Sequence, residues 1–69
     1  MEFSLEEKEY LELNRLIKYI NWAQSGGEAN HLVTDGQLRV NGEKELRRRR
    51  KLHIGDIVTF DSKTCTVIK

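Results

Sequence analysis

The chain has 69 residues, with one cysteine and no proline. We therefore expect a single domain over residues 1–69, near the lower size limit for a stable hydrophobic core. One thiol excludes an internal disulfide and argues against a metal cluster. The formal net charge is +1, but residues 1–36 hold seven acids and three bases, whereas residues 37–69 hold nine bases and four acids. Such an asymmetry favours a polyanionic partner on one face.

The N-terminal residues carry two competing patterns. Ser4 and Glu7 have the spacing of a capping box, which would begin a long helix at Ser4. Apolar residues alternate on both sides of a charged cluster, however, so we favour a short extended segment at 2–5, a turn, and a second extended segment ending near Leu13. The segment lacks the apolar run of a secretory signal, and no stretch of the chain reaches the length of a membrane span. With its unpaired thiol, the chain is expected to be a soluble cytoplasmic protein.

A first helix is predicted from an N-cap at Asn14 to about Asn21. Its buried face is formed by apolar residues at i, i+3, i+4 and i+7. These residues are Leu13, Leu16, Ile17 and Ile20. Lys18 lies off this face, where either an ordinary solvated lysine or a phosphate contact would fit.

A second helix is predicted to begin at Ser25, which forms a capping box with Glu28, and to end at the glycine that follows Asp35. Gly26 and Gly27 would leave backbone N–H groups uncovered in the first turn, at the positive end of the helix dipole. A phosphate can approach such a site closely. Tight packing that excludes a Cβ explains the glycine pair equally well.

Two β-hairpins are predicted in the second half of the chain. The first has a strand at 37–40 and an Asn41-Gly42 turn. On its returning strand the apolar residues would lie on the face opposite to the apolar face of the first strand. A bulge or an early end to pairing is therefore expected. The second hairpin has strands at 57–60 and 64–68.

Five cations follow one another at 47–51 with no acid between them. If residues 46–52 are extended, Leu46, Arg48, Arg50 and Leu52 share the side that faces the core. The remaining cations of the run would then face solvent and a partner. A helix over 43–52 is the competing structure, but it would place the two leucines on nearly opposite faces. Such a run is often only a solvated surface, yet four consecutive arginines on a small domain favour a nucleic-acid surface.

Five pieces of the sequence together are similar to one known module. They are LNRLIK at 13–18, SGGEA at 25–29, GQLRVNG at 36–42, RRRRKL at 47–52 and GD at 55–56. In order and spacing they resemble the alpha-L RNA-binding domain, named after the fourth small-subunit ribosomal protein, and most closely its short stand-alone bacterial members. The resemblance covers about residues 10–60. It implies an α+β fold, in which two short helices pack on a small, mostly antiparallel sheet.

The resemblance also implies RNA contacts along the helices and the hairpin. The residues at the matching positions are Lys18, Ser25, Gly26, Gly27, Arg39, Arg47, Arg49 and Lys51. Lys44, on the returning strand of the hairpin, is expected to contact RNA as well. Larger family members usually have an arginine where this chain has Gly26, and short members usually have a lysine where it has Asn30. The basic run is therefore expected to supply more of the affinity.

These observations predict a small, monomeric RNA-binding protein of translation or the ribosome, without a cofactor or small-molecule substrate. Structured RNA, ribosomal or transfer RNA, would be recognised by shape through the basic hairpin and the N-terminus of the second helix. The alternative is a protein-interaction adaptor whose arginine stripe docks on an acidic partner. Helix-turn-helix DNA binding would need base-reading side chains on the second helix, and the exposed set there is poor.

No residues indicate an enzyme, since nucleophile–base pairs, metal ligand sets and phosphate loops are absent from the sequence. His31 and His53 lack partner ligands at metal-binding spacing, and Cys65 is expected to be a buried, inert thiol. The aromatic residues are predicted to pack in the core. They are Phe3, Tyr10, Tyr19, Trp22 and Phe60.

Overall fold

A computed structural model describes Met1–Lys69. The elements in chain order are β1 (Glu2–Ser4), β2 (Leu11–Glu12), α1 (Leu13–Tyr19), α2 (Gly26–Thr34), β3 (Leu38–Val40), β4 (Glu43–Lys44), β5 (Lys51–Leu52), β6 (Ile57–Phe60) and β7 (Lys63–Ile68). Five strands form one sheet in the order β1-β7-β6-β3-β4, and β2 and β5 form a separate two-stranded ribbon. Only the β1–β7 pair is parallel. The predicted α+β fold with two short helices and a mostly antiparallel sheet is confirmed.

One core of 14 buried residues joins the helices to both sheets. Of the predicted α1 face, Leu13, Leu16 and Ile17 are fully buried, and Ile20, which is the C-cap, is partly buried against the core. In α2 the buried residues are Ala29 and Val33. Burial of a large aliphatic side chain contributes about 1.5–3 kcal/mol, so these few positions hold the helices on the sheet. Neither helix has the length or the apolar content that a membrane crossing requires.

The predicted extended segment, turn and second extended segment before α1 are confirmed, and no long helix begins at Ser4. The Ser4 hydroxyl accepts a hydrogen bond from the Glu6 N–H at 3.0 Å, and Glu6 takes a φ of 58°. Ser4 therefore closes a local turn instead of capping a helix. This use of a serine side chain competes with helix initiation.

The prediction of Asn14 as the first N-cap is wrong. The N-cap is Glu12, which forms no side-chain cap. The N–H groups of Leu13 and Asn14 donate instead to the backbone carbonyls of Arg50 and Arg48, at 2.9 and 3.0 Å. Backbone carbonyls that are distant in sequence thus accept the hydrogen bonds that an N-cap side chain usually accepts.

The ends of α2 and the hairpin turns follow the sequence closely. Ser25 Oγ accepts the Glu28 N–H at 3.1 Å, and the helix ends before Gly36, whose φ is +78°. Asn41 and Gly42 both have positive φ angles, 54° and 86°, as a two-residue hairpin turn requires. Pairing between β3 and β4 stops after Lys44, so the expected early end of this hairpin is confirmed.

Candidate nucleic-acid interface

The basic segment, residues 47–51, is neither a regular strand nor a helix. Arg48 and Arg49 form a turn, which the Arg50 N–H closes by donating to the Arg47 carbonyl at 3.2 Å. The predicted alternation over residues 46–52 is therefore wrong. Leu52 is buried as expected, but Leu46 is 55% exposed. The turn breaks the alternation on its N-terminal side, so that Leu46 and Arg48 are exposed, whereas Arg50, Lys51 and Leu52 keep the predicted order of burial.

The turn exists because one buried acid holds both of its ends. Glu45 is only 6% exposed, and its carboxylate accepts four hydrogen bonds. Three come from Arg47, through the backbone N–H at 3.0 Å, Nε at 2.9 Å and Nη2 at 3.1 Å. The fourth comes from Arg50 Nη1 at 2.7 Å. These bonds pull residues 47 and 50 toward one point and leave 48 and 49 at the tip.

The electrostatics of Glu45 agree with this geometry. The side-chain hydrogen bond from Arg47 is the largest influence, and with the Arg47 N–H and Arg50 it lowers the pKa of Glu45 to about 2, against the opposing effect of burial. Glu45 is therefore ionised at neutral pH. A buried carboxylate is tolerated here because its lone pairs are satisfied by charged donors.

Arg48 and Arg49 are the two arginines of the segment that have no partner within the chain. Both are exposed, and neither side chain forms a hydrogen bond or an ion pair within the chain. Arg48 was expected to lay its stem along the core and does not. Arg47 keeps 72% of its side chain exposed although it binds Glu45, and Arg50 keeps only 29%. The tip of the turn thus presents two unpaired guanidinium groups to solvent.

A hollow between the helices gathers a second group of predicted contact residues. Its volume is about 310 Å³, and its lining residues are Asn14, Arg15, Lys18, Tyr19 and Gly26. Lys18 and Gly26, which were predicted from separate motifs, therefore share one site. The hollow adjoins the basic segment, since the backbone N–H of Asn14 bonds Arg48 and its side-chain amide donates to Asn30 on α2 at 3.0 Å.

The structure argues against one of the two explanations of the glycine pair. A Cβ added to Gly26 would meet nothing within 4 Å, and one added to Gly27 would meet only Ser25 Oγ at 4.0 Å. Tight packing therefore does not account for the pair. The first turn of α2 is open, and Ser25 at its start is exposed as well.

Arg39 and Lys44 lie directly opposite each other on the β3–β4 hairpin, and both are exposed. The hairpin is fixed to the loop before β6 by Asn41, whose amide donates to Asp56 Oδ1 at 3.0 Å and accepts from the Ile57 N–H at 2.9 Å. Burial would raise the pKa of Asp56, but hydrogen bonds from His53 and Asn41 and nearby positive charge lower it overall. Hydrogen bonds therefore join the hairpin turn at Asn41 to the loop at Asp56 and fix the position of the hairpin.

The prediction that the aromatic residues pack in the core is confirmed for three of them and wrong for the two tyrosines. Phe3, Trp22 and Phe60 pack against the core as expected, and Trp22 contacts Phe60 with ring centroids 5.9 Å apart. Tyr10 and Tyr19 do not, since they are 39% and 50% exposed. Lys51 extends its Nζ to 4.8 Å from the centre of the Tyr10 ring. The exposure of Tyr10 could have been predicted, because this residue lies in a charged stretch of the sequence.

Two polar residues that sequence reasoning passed over matter most. Glu45 was not among the residues predicted from the sequence, although an acid two residues before an arginine run is a signal for a local ion pair. Arg15 lines the hollow but was not predicted as a site residue, because the N-terminal half of the sequence is mainly acidic. Cys65 is buried, and burial raises the pKa of its thiol, as expected for an inert cysteine. No group of three His, Cys, Asp or Glu side chains lies at metal-binding distance.

The chain is similar to a known protein family, to two named bacterial proteins and to one solved structure. The sequence profile of the S4 domain family matches residues 3–68. YbcJ of Escherichia coli (strain K12) is 35% identical over 66 residues, covering 96% of this chain and 94% of YbcJ. The Bacillus subtilis (strain 168) protein named "Probable ribosome maturation protein RlbA" is 34% identical over 55 residues, covering 80% of this chain and 78% of that protein. The solution structure of E. coli YbcJ, described as revealing an alfaL motif involved in RNA-binding, matches with a TM-score of 0.76 and 34% identity, over 99% of this chain and 86% of that one.

Proposed function

The chain belongs to the S4 domain family, as its motifs predicted, and we propose that it is a small protein that binds structured RNA. The observation that carries the proposal is the turn at Arg48 and Arg49. Its two guanidinium groups are exposed and unpaired, while buried Glu45 fixes the backbone that presents them. The RNA-binding motif described for the YbcJ structure supports the same function.

The arrangement suits recognition of RNA by shape. A-form RNA hides its base edges in a deep, narrow groove and displays phosphates and 2′-hydroxyls. The turn would contact the backbone of one strand through Arg48 and Arg49. The hollow beside it would accept a second phosphate group at Lys18 and the open first turn of α2, where backbone N–H groups favour an anion. A rigid pair of cationic sites selects a backbone geometry instead of a base sequence.

Ribosomal RNA is the proposed target class, with transfer RNA as the other structured candidate. The likeness to the protein named for ribosome maturation supports this choice. A role as an adaptor for an acidic protein would use the same arginines, but it would not require an open helix terminus next to them. We therefore place RNA first.

The test measures binding to a structured ribosomal RNA fragment, a transfer RNA and a DNA duplex of equal length, over a series of salt concentrations. Neutralising four to six phosphates should give a log–log slope of about −3 to −5. Structured RNA should bind more tightly than DNA at the same salt. Equal affinity for RNA and DNA, or binding only to an acidic protein, would contradict the proposal.

A further inference from the structure

The two-stranded ribbon beside the basic segment leaves an aromatic ring in solvent. Leu11 pairs with Leu52 in this ribbon, and both leucines are buried. Because side chains alternate along a strand, the neighbouring residues Tyr10 and His53 face away from the core. Their ring centroids are 6.2 Å apart with planes inclined by 45°. The exposed aromatic pair therefore lies at the end of the ribbon, with Tyr10 immediately before β2 and His53 immediately after β5.

One lysine contacts the Tyr10 ring, and a hollow with two further basic residues adjoins it. Lys51 Nζ lies 4.8 Å from the ring centre. A hollow of about 290 Å³ opens next to it, with a lining of Lys8, Tyr10, Leu11, Glu12 and Arg15. The one acid of this hollow, Glu12, is paired with Arg15 at 3.4 Å. An aromatic ring, the lysine that contacts it and an adjoining hollow near the lower size of small-ligand sites, about 300 Å³, are therefore together.

We propose that Tyr10 is a stacking site for one unpaired nucleobase of the bound RNA. The inference rests on the proposed function and extends it, because the phosphate sites recognise a helical stem but carry no preference for what flanks it. Every base has a π-face that can stack on an aromatic ring, and nearby cations neutralise the phosphates on either side. Lys51 belongs to the basic segment and also covers Tyr10, so the stem site and the stacking site are contiguous. The protein then prefers a stem with an adjoining unpaired nucleotide over an uninterrupted duplex.

The experiment compares two RNAs that share one stem. The first carries a single unpaired 2-aminopurine next to the stem, and the second is fully paired. The variants are Tyr10→Ala, Tyr10→Phe and, as a control for the loss of exposed apolar surface, Ile57→Ala. Ile57 is 41% exposed, close to the 39% of Tyr10, but it has no aromatic ring, belongs to β6 and lines neither hollow. Affinity, 2-aminopurine fluorescence and melting temperature are measured for each.

Wild-type protein should quench the 2-aminopurine and bind the first RNA more tightly than the second. Tyr10→Ala should weaken binding to the first RNA about tenfold, abolish the quenching and leave the fully paired RNA unaffected. Tyr10→Phe should retain both effects because it keeps the ring, and Ile57→Ala should change neither. If Tyr10→Ala does not fold, Tyr10→Leu replaces it, since leucine preserves apolar volume without a π-face.

Two results would overturn the stacking site while leaving the proposed function intact. One is an equal loss of affinity for both RNAs in the Tyr10 variant, and the other is tight binding by wild-type protein without quenching. Failure of wild-type protein to bind either RNA would instead overturn the proposed function itself.

Discussion

Replacing Glu45 with glutamine tests whether a buried acid is needed to build a basic surface. Glutamine keeps the size of the side chain but removes the charge that Arg47 and Arg50 share. Folding lowers the pKa of Glu45 from its usual 4.5 to about 2, so the ionised carboxylate stabilises the folded state. The full shift corresponds to ~3 kcal/mol. Solvent screening of Arg47, which is 72% exposed, reduces this to ~1–2 kcal/mol.

At pH 7 the Glu45→Gln variant should therefore melt roughly 5–15 °C below the wild type. Because the pKa is lowered in the folded state, the contribution of Glu45 is complete above about pH 4.5 and is lost as the pH falls toward about 2. The difference in melting temperature should shrink over the same range. Thermal melting followed by circular dichroism at several pH values measures both effects.

The same variant separates geometry from charge in RNA binding. Glu43→Gln is the matched control, because Glu43 is exposed on β4 and pairs with no cation. Either substitution raises the net charge from +1 to +2, so charge alone predicts equal or tighter binding for both. We expect Glu45→Gln to bind structured RNA about 3–10-fold more weakly and Glu43→Gln to bind at least as well as the wild type. Fluorescence anisotropy at fixed salt measures this, and identical effects of the two substitutions would refute the role given to Glu45.

Two more predictions concern the surface that Glu45 supports. Replacing Gly26 and Gly27 together with alanine should weaken RNA binding in a titration while leaving the melting temperature unchanged or raised, because alanine is the better helix former and the added Cβ atoms meet open space; a clear loss of stability would contradict this. Replacing Arg48 and Arg49 with alanine should reduce the salt slope by about one unit for each lost phosphate contact without a change in melting temperature. Arg50→Ala should instead lower the melting temperature, because it removes a partner of buried Glu45; equal thermal effects in the two variants would show that the turn is not organised as described.

The parts of the fold that sequence predicted are those determined by neighbouring residues. The capping box at Ser25, the left-handed glycine at 36 and the Asn41-Gly42 turn each depend on chemistry within four residues, and all three are present. The early end of the β3–β4 hairpin was also predicted, because strand parity is a local property.

The parts that sequence missed depend on contacts between distant residues. The N-terminus of α1 is capped by carbonyls more than thirty positions along the chain, so no local rule identifies Glu12 as its N-cap. The alternation predicted for the basic segment assumed an extended backbone, and four hydrogen bonds to Glu45 impose a turn instead. Tyr10 is exposed because its register beyond the β2–β5 ladder points it outward, and that pairing cannot be read from composition.

The capping of α1 by the basic segment has a consequence for how this surface can evolve. The groups that bind the helix are the backbone carbonyls of Arg48 and Arg50, and every amino acid supplies a carbonyl. Substitution at position 48 or 49 can therefore alter the surface offered to a ligand while the helix keeps its cap. Substitution of Glu45 or Arg50 is constrained instead, because their side chains maintain the turn. The segment thus separates residues that fold the protein from residues that are free to diversify its binding.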